Sequence, residues 1–224
     1  DLIEKYRHKF IIAENGVDLE ELAEAESRDH EDLKSELEFD LSKTNIVFVG
    51  QVMRAKGLDE LIEAMSEVQR EFPNTALYIV GDHCVEAHIE YRVELEEAIR
   101  SHGLKNVRLT GWRPDAYDII SIMDIFVLPS HAEGVPHTVI EAMALGKPVL
   151  TTDVGSIADI VDNENTGLMV PAKDPKALAA SLRHLVGDIP LRDRIGEQGR
   201  EAVSRNWPIQ SGIKGFERLY RTLH

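Results

Sequence analysis

Asn45-Ile46-Val47-Phe48-Val49-Gly50, then Ala76-Leu77-Tyr78-Ile79-Val80-Gly81, are two short, largely apolar runs that each stop at a glycine. Between them Leu58, Leu61, Ile62, Met65 and Val68 recur at helical spacing within Gly57–Glu71. A run with no polar alternation belongs to a strand buried on both faces, and a helix between two such strands makes a right-handed parallel crossover. The same beat continues along the chain: a helix over 89–102, a strand over 107–111, a helix over 116–123 and a strand over 124–129. A helix over 136–145, a strand over 148–151, a short helix and a strand over 167–170 follow. This alternation predicts an α/β fold with a doubly wound, Rossmann-like parallel sheet. Ligands in such sheets bind beyond the C-terminal ends of the strands, so the loops that begin at Gly50, Gly81, Gly111 and Pro129 are the ones to inspect.

The flanks read differently. Three successive helices, over 176–186, 191–205 and 209–223, close the chain, with Trp207-Pro208 breaking the last two. At the front, Lys9–Ala13 reads as a strand entering a turn at Asn15-Gly16. Residues 20–40 then carry ten acids against Arg28 and Lys34, which is the pattern of a solvated helix face or a connector.

Composition narrows the function. With 25 basic and 40 acidic residues the net charge is −15, which opposes binding to DNA or RNA. Cys84 stands alone, with no partner for a disulfide or a Cys-x-x-Cys metal site, and this fits a reducing, cytoplasmic setting. No apolar run reaches the ~18–20 residues that cross a bilayer, although contact with a membrane surface is left open.

The residues with chemistry follow the fourth strand, in Pro129-Ser130-His131-Ala132-Glu133-Gly134-Val135-Pro136-His137-Thr138-Val139-Ile140-Glu141. Pro136 suits a first helical position and Gly134 permits close backbone approach. The helix start offers free N–H groups to a phosphate. Glu133, in the loop, and Glu141, about two turns into the helix, can face one cleft and accept hydrogen bonds from sugar hydroxyls. After the first strand, Gly50-Gln51-Val52-Met53-Arg54-Ala55-Lys56-Gly57 places Arg54 and Lys56 where two cations could hold a diphosphate. A Gly-x4-Gly-Lys-Ser/Thr loop and a Gly-x-Gly-x-x-Gly fingerprint are both missing. His131 and His137 flank Glu133 without a clear third ligand, so no metal site is expected.

Taken in order, Asn15-Gly16-Val17-Asp18, Val49-Gly50, Lys56-Gly57, Val80-Gly81-Asp82, Gly111, Asp124, Pro129-Ser130, Glu133-Gly134-x-Pro136, Glu141-Ala142-Met143-Ala144, Gly146-x-Pro148-Val149, Gly155, Asp159 and Gly167-Leu168 resemble the retaining GT-B glycosyltransferases of family 4, or group 1. The resemblance covers roughly residues 10–205. It implies the C-terminal, donor-binding half of a two-domain enzyme, with about 150–200 residues of acceptor-binding domain ahead of Lys9. Residues 1–40 would then end that first domain and connect it to a nucleotide-sugar domain over 41–205, and a helix over 206–224 would cross back with an exposed apolar stripe.

By the same resemblance Glu133 would contact the transferred sugar, Lys56 the diphosphate and Glu141 the ribose. Gly50, Gln51, Gly134, Val135, Pro136, His137 and Thr138 would line the donor, and Trp112 and Arg113 would form part of the base pocket. The donor would be a nucleoside diphosphate sugar, UDP ahead of GDP or ADP, with no cofactor. The acceptor would be a glycan or lipid-linked glycan, reached at the inner face of the membrane. Family members usually carry arginine where Gln51 stands. Either Arg54 compensates for it, or the chain is a non-catalytic nucleotide-binding or scaffold module of the same fold.

Overall fold

The computed structural model describes residues 16–82 and 89–223. The strand expected over Lys9–Ala13 and the lone Cys84 lie outside them. Six strands, β1 (Thr44–Val49), β2 (Thr75–Val80), β3 (Val107–Gly111), β4 (Ile125–Leu128), β5 (Val149–Thr152) and β6 (Leu168–Val170), form one sheet in the order β3-β2-β1-β4-β5-β6. Every pairing within it is parallel, and β1 and β2 run in continuous register from Thr44 opposite Thr75 to Val49 opposite Val80. All six residues of β2 and all four of β4 and of β5 are buried, which is why these segments are apolar without alternation.

Helices cover both faces: α1 (Leu19–Ser27), α2 (Glu31–Glu36), α3 (Leu58–Glu71), α4 (Ile89–Ser101), α5 (Ala116–Ile122), α6 (His137–Ala144), α7 (Ile157–Ile160), α8 (Pro175–Gly187), α9 (Ile189–Asn206) and α10 (Ile209–Leu223). Asp174 caps α8 by accepting from Ala177 N–H at 3.0 Å, with Pro175 opening the helix, and Asp188 caps α9 in the same way through Leu191 N–H at 2.9 Å. The doubly wound parallel sheet read from the sequence is the fold observed.

The acidic stretch is not a loose connector. Asp18 caps α1, whose Leu22 and Ala25 are buried with the rest of the core. Its carboxylates reach back to arginines of the sheet domain. Glu26 binds Arg200 through both oxygens, at 2.7 and 3.0 Å, Glu36 pairs with Arg113, and Glu38 pairs with Arg108. Exposed pairs of this kind hold position more than they add stability.

At the far end, Trp207 and Pro208 break α9 from α10 as expected. Val17 N–H donates to the Trp207 carbonyl at 2.9 Å, and Ile209 N–H to the Val17 carbonyl at 3.0 Å, so the chain enters and leaves the domain side by side. Beyond this clasp Ile213, Phe216 and Tyr220, at helical spacing along α10, are all exposed. No helix among the described residues is long and apolar enough to cross a membrane.

Candidate functional site

In this sheet the order in which successive strands are added reverses between β1 and β4, and the loops that leave their C-terminal ends part to form a crevice. Here the backbones touch. Gly57, at φ +67°, ends the single 3-10 turn Arg54–Lys56, and a Cβ on it would lie 2.0 Å from the Pro129 carbonyl oxygen. Gly155, at φ +60°, comes as close to the Glu133 carbonyl. Both positions require glycine on conformational and steric grounds alike. His131 N–H donates to the Ala55 carbonyl at 2.8 Å, and Thr152 Oγ1 donates to the Ser130 carbonyl. The loop that carries Glu133 is thus clamped between the β1–α3 and β5–α7 connections.

Inside the crevice Lys56 Nζ lies 2.7 Å from Glu133 Oε1, and the buried Ser130 hydroxyl donates to the same oxygen at 2.6 Å. The Glu133 side chain is only 9 % exposed and that of Lys56 21 %, so the pair is screened from bulk water on most sides. It opens onto a cavity of ≈ 410 Å³ that also takes in Gly50, Gln51, Val135, Pro136, His137 and Thr138. Gly134 does not line this cavity. Its carbonyl accepts from Ser156 Oγ, and a Cβ on it would meet nothing within 4 Å.

Helix α6 begins at His137, with Pro136 as its N-cap rather than its first helical residue, so the N–H groups that face the cavity belong to His137 and Thr138. This also shortens the reach to Glu141. It stands four residues beyond His137, little more than one turn into α6, where two turns were expected. Glu141 is mostly buried. Burial pushes its carboxyl above the ordinary range, the Tyr117 hydroxyl (donating to Oε1 at 3.0 Å) and nearby His137 pull it back, and Glu21 pushes the same way as burial.

A second cavity of ≈ 340 Å³ adjoins the first at Val49, Gly50 and Gln51 and is walled by Trp112, Arg113 and Ala116. Trp112 is 71 % exposed, an uncovered ring at the cavity edge. Arg113 is fixed by Asp115, at 2.7 and 2.8 Å, and by Glu36.

The crevice therefore brings together Lys56, Glu133, Gly50, Gln51, Val135, Pro136, His137 and Thr138, with Trp112 and Arg113 next door. It does not bring in Arg54, whose guanidinium turns outward to Glu94, to Asp59 at 3.5 Å and over the Tyr91 ring at 4.8 Å. Nor does His131 turn toward Glu133; it pairs with Glu60 at 2.9 Å. Among the described residues no group of three or more His, Cys, Asp or Glu is placed to hold a metal ion. Two participants carried no signal of their own in the sequence: Ser130 is quoted only as part of the motif after β4, and Tyr117 lies 24 residues from the carboxylate it binds.

A sheet of this order, with a lysine–glutamate pair at its switch point, defines the class of α/β domains that bind a ligand across the crevice. The particular family comes from comparison. The profile of glycosyl transferases group 1 matches residues 29–202, and the chain belongs to that family. It is 32% identical over 177 residues to the capsular polysaccharide biosynthesis glycosyltransferase CapM of Staphylococcus aureus, covering 79% of this chain and 46% of that one. Its fold matches Anabaena HepE, solved in complex with UDP and glucose, with a TM-score of 0.81 and 21% identity over 93% of this chain and 55% of that chain. It also matches the C-terminal domain of the group 1 protein LpcC from Francisella tularensis, with a TM-score of 0.76 and 25% identity, over 87% of this chain and 100% of that domain. The chain spans about half the length of the curated relatives it matches.

Proposed function

We propose that this chain is the donor-binding half of a retaining family 4 glycosyltransferase, in which a nucleoside diphosphate sugar is held across the β1–β4 crevice. The observation that carries the reading is the pair of cavities that meet at Gly50-Gln51. One holds the Lys56–Glu133 pair and the N–H groups of His137 and Thr138, and the other is walled by Trp112 and Arg113. A diphosphate suits Lys56 and the start of α6, which supply positive charge to the leaving group as the glycosidic bond breaks. The sugar suits Glu133, the ribose Glu141, and the base the open ring of Trp112. UDP is the first nucleotide expected, in keeping with the UDP bound by HepE.

The LpcC match, over a whole C-terminal domain, supports a place in the second half of a longer protein. A partner domain there would carry the glycan or lipid-linked acceptor, and the exposed stripe of α10 would cross back to it. Polysaccharide synthesis is in keeping with the capsular polysaccharide biosynthesis glycosyltransferase CapM, and we place it at the inner face of the membrane. Calorimetric titration with UDP, GDP and ADP tests the reading. One nucleotide should bind, and Lys56→Ala and Glu141→Ala should each weaken it about tenfold or more, the worth of a charge-assisted hydrogen bond. Absence of binding by all three would favour a scaffold module, for which Gln51 would then be the marker.

A further inference from the structure

Glu141 is held at one oxygen only. Tyr117, in the first turn of α5, donates its hydroxyl to Oε1 at 3.0 Å, while no hydrogen bond to Oε2 is formed among the described residues. Neither residue lines a cavity itself; the pair lies behind neighbours that do. His137 lines the first cavity and shares a helix face with Glu141 four residues on, and Ala116, the neighbour of Tyr117, lines the second. The groups that face the pair are Glu21 and Asp18 from α1 and His137 from α6. Two further carboxylates make this corner hostile to a phosphate and receptive to a hydrogen-bond donor. A nucleotide is thereby oriented, with its diphosphate toward Lys56 and its hydroxyls toward Glu141.

We infer that Tyr117 is the positioning residue that fixes Glu141 through Oε1 and presents Oε2 to a ribose hydroxyl, so that Tyr117 helps select ribonucleotides over their deoxy analogues. The inference rests on the donor-site reading above and adds to it a residue and a specificity. A carboxylate free to turn would lose rotamer entropy on meeting the ligand; one already held does not. A donor at Oε1 also favours the ionised form of a carboxyl that burial pushes toward neutrality, and only the ionised form accepts with both oxygens.

The test is the ratio of the dissociation constants of 2′-deoxy-UDP and 3′-deoxy-UDP to that of UDP, measured on this chain by calorimetry against pH. The ratio cancels the phosphate's own titration. The unaltered chain should favour UDP over at least one deoxy analogue by about tenfold or more, the worth of one hydrogen bond to a charged group. Tyr117→Phe keeps the ring, and its thermal midpoint reports folding. It should bring the ratio down to roughly 2–3-fold, leave deoxy-UDP affinity unchanged, and move the loss of UDP preference to higher pH, because a stabiliser of the carboxylate is gone. Tyr117→His, which can still donate, should recover part of the ratio. Glu141→Gln should reduce the ratio to about the same as Tyr117→Phe or lower. If Glu141→Gln lowers the ratio while Tyr117→Phe leaves ratio and pH profile intact, the inference is wrong and the donor-site reading stands. A ratio untouched by Glu141→Gln, or no nucleotide binding at all, would overturn both.

Discussion

Glu133 and Glu141 are eight residues apart and are held in opposite ways. Glu133 sits in a loop and is fixed by its surroundings. Gly155 and Gly57 press the loop from two sides, and Lys56 and Ser130 converge on one carboxylate oxygen. Glu141 sits on a helix, where the backbone positions it unaided. It is mostly buried, has no lysine or arginine partner among the described residues, and is held by the neutral hydroxyl of Tyr117. One carboxylate is compensated in charge and exacting in backbone; the other is undemanding in backbone and uncompensated in charge. Altering the first should therefore cost structure and chemistry together. Altering the second should cost binding while relieving the fold.

The largest effect is expected at Glu133. On the proposed function, Glu133→Ala in a two-domain enzyme carrying this domain should lower sugar transfer on the order of 10²–10³-fold, the scale seen when one preorganised electrostatic group is removed from an active site. UDP affinity of this chain should be no weaker in Glu133→Gln, because Lys56 loses its counter-ion and gains freedom to meet phosphate. A parallel loss of UDP affinity would mean that Glu133, not Lys56, carries nucleotide binding. Next comes Gly155→Ala. It forces a Cβ to 2.0 Å from the Glu133 carbonyl at a positive φ, and should cost roughly 2–4 kcal/mol, a fall on the order of 10 °C in thermal midpoint. Gly134→Ala is its control, since a Cβ there meets nothing within 4 Å and the midpoint should barely move.

The smallest effect belongs to Glu141→Gln, and its sign is the informative part. Burial raises the folded-state value of this carboxyl above its ordinary 4.5. The folded chain therefore keeps the proton longer than the unfolded chain, and stability falls as pH rises from the ordinary value to the raised one. Glutamine removes that loss. The variant should melt higher than the unaltered chain at neutral pH and show no advantage below the ordinary value, in thermal scans across pH. A lower midpoint at neutral pH would mean that Glu141 is compensated by something other than Tyr117 and His137.

The strands and the crevice were legible in the sequence because their signals are local. A wholly apolar run such as Ile46–Val49 or Ile125–Leu128 ending near a turn can be read without knowing its neighbours. That reading points to the loops at the switch point, while the particular donor-site residues come from the family resemblance. Long-range pairing was not legible. Arg54 and Lys56 are two residues apart and look equivalent on paper, yet only Lys56 enters the cavity. Arg54 lies on the outer side of the 3-10 turn, where Glu94 and the Tyr91 ring arrive from α4, forty residues on. The acidic run was misleading in the same way. It reads as a solvated helix face or a connector, and nothing local tells that Glu26, Glu36 and Glu38 meet Arg200, Arg113 and Arg108, which are 70 to 174 residues away.

The hydrogen bonds between Val17 and Trp207 and between Ile209 and Val17 bear on motion as well as on architecture. A body joined to the rest of its chain at two distant points resists turning, because each attachment restrains the other. Here Val17 and the Trp207–Ile209 segment, the two points where the described chain joins the body of the sheet, lie at one spot. The backbone link from α10 to the sheet domain runs through residues 207–209, hydrogen-bonded to Val17, while the crevice is built at the C-terminal ends of β1 and β4. Lys56, Glu133 and Tyr117 all lie on the sheet side of that link, so a displacement of α10 about it would not by itself change their mutual distances.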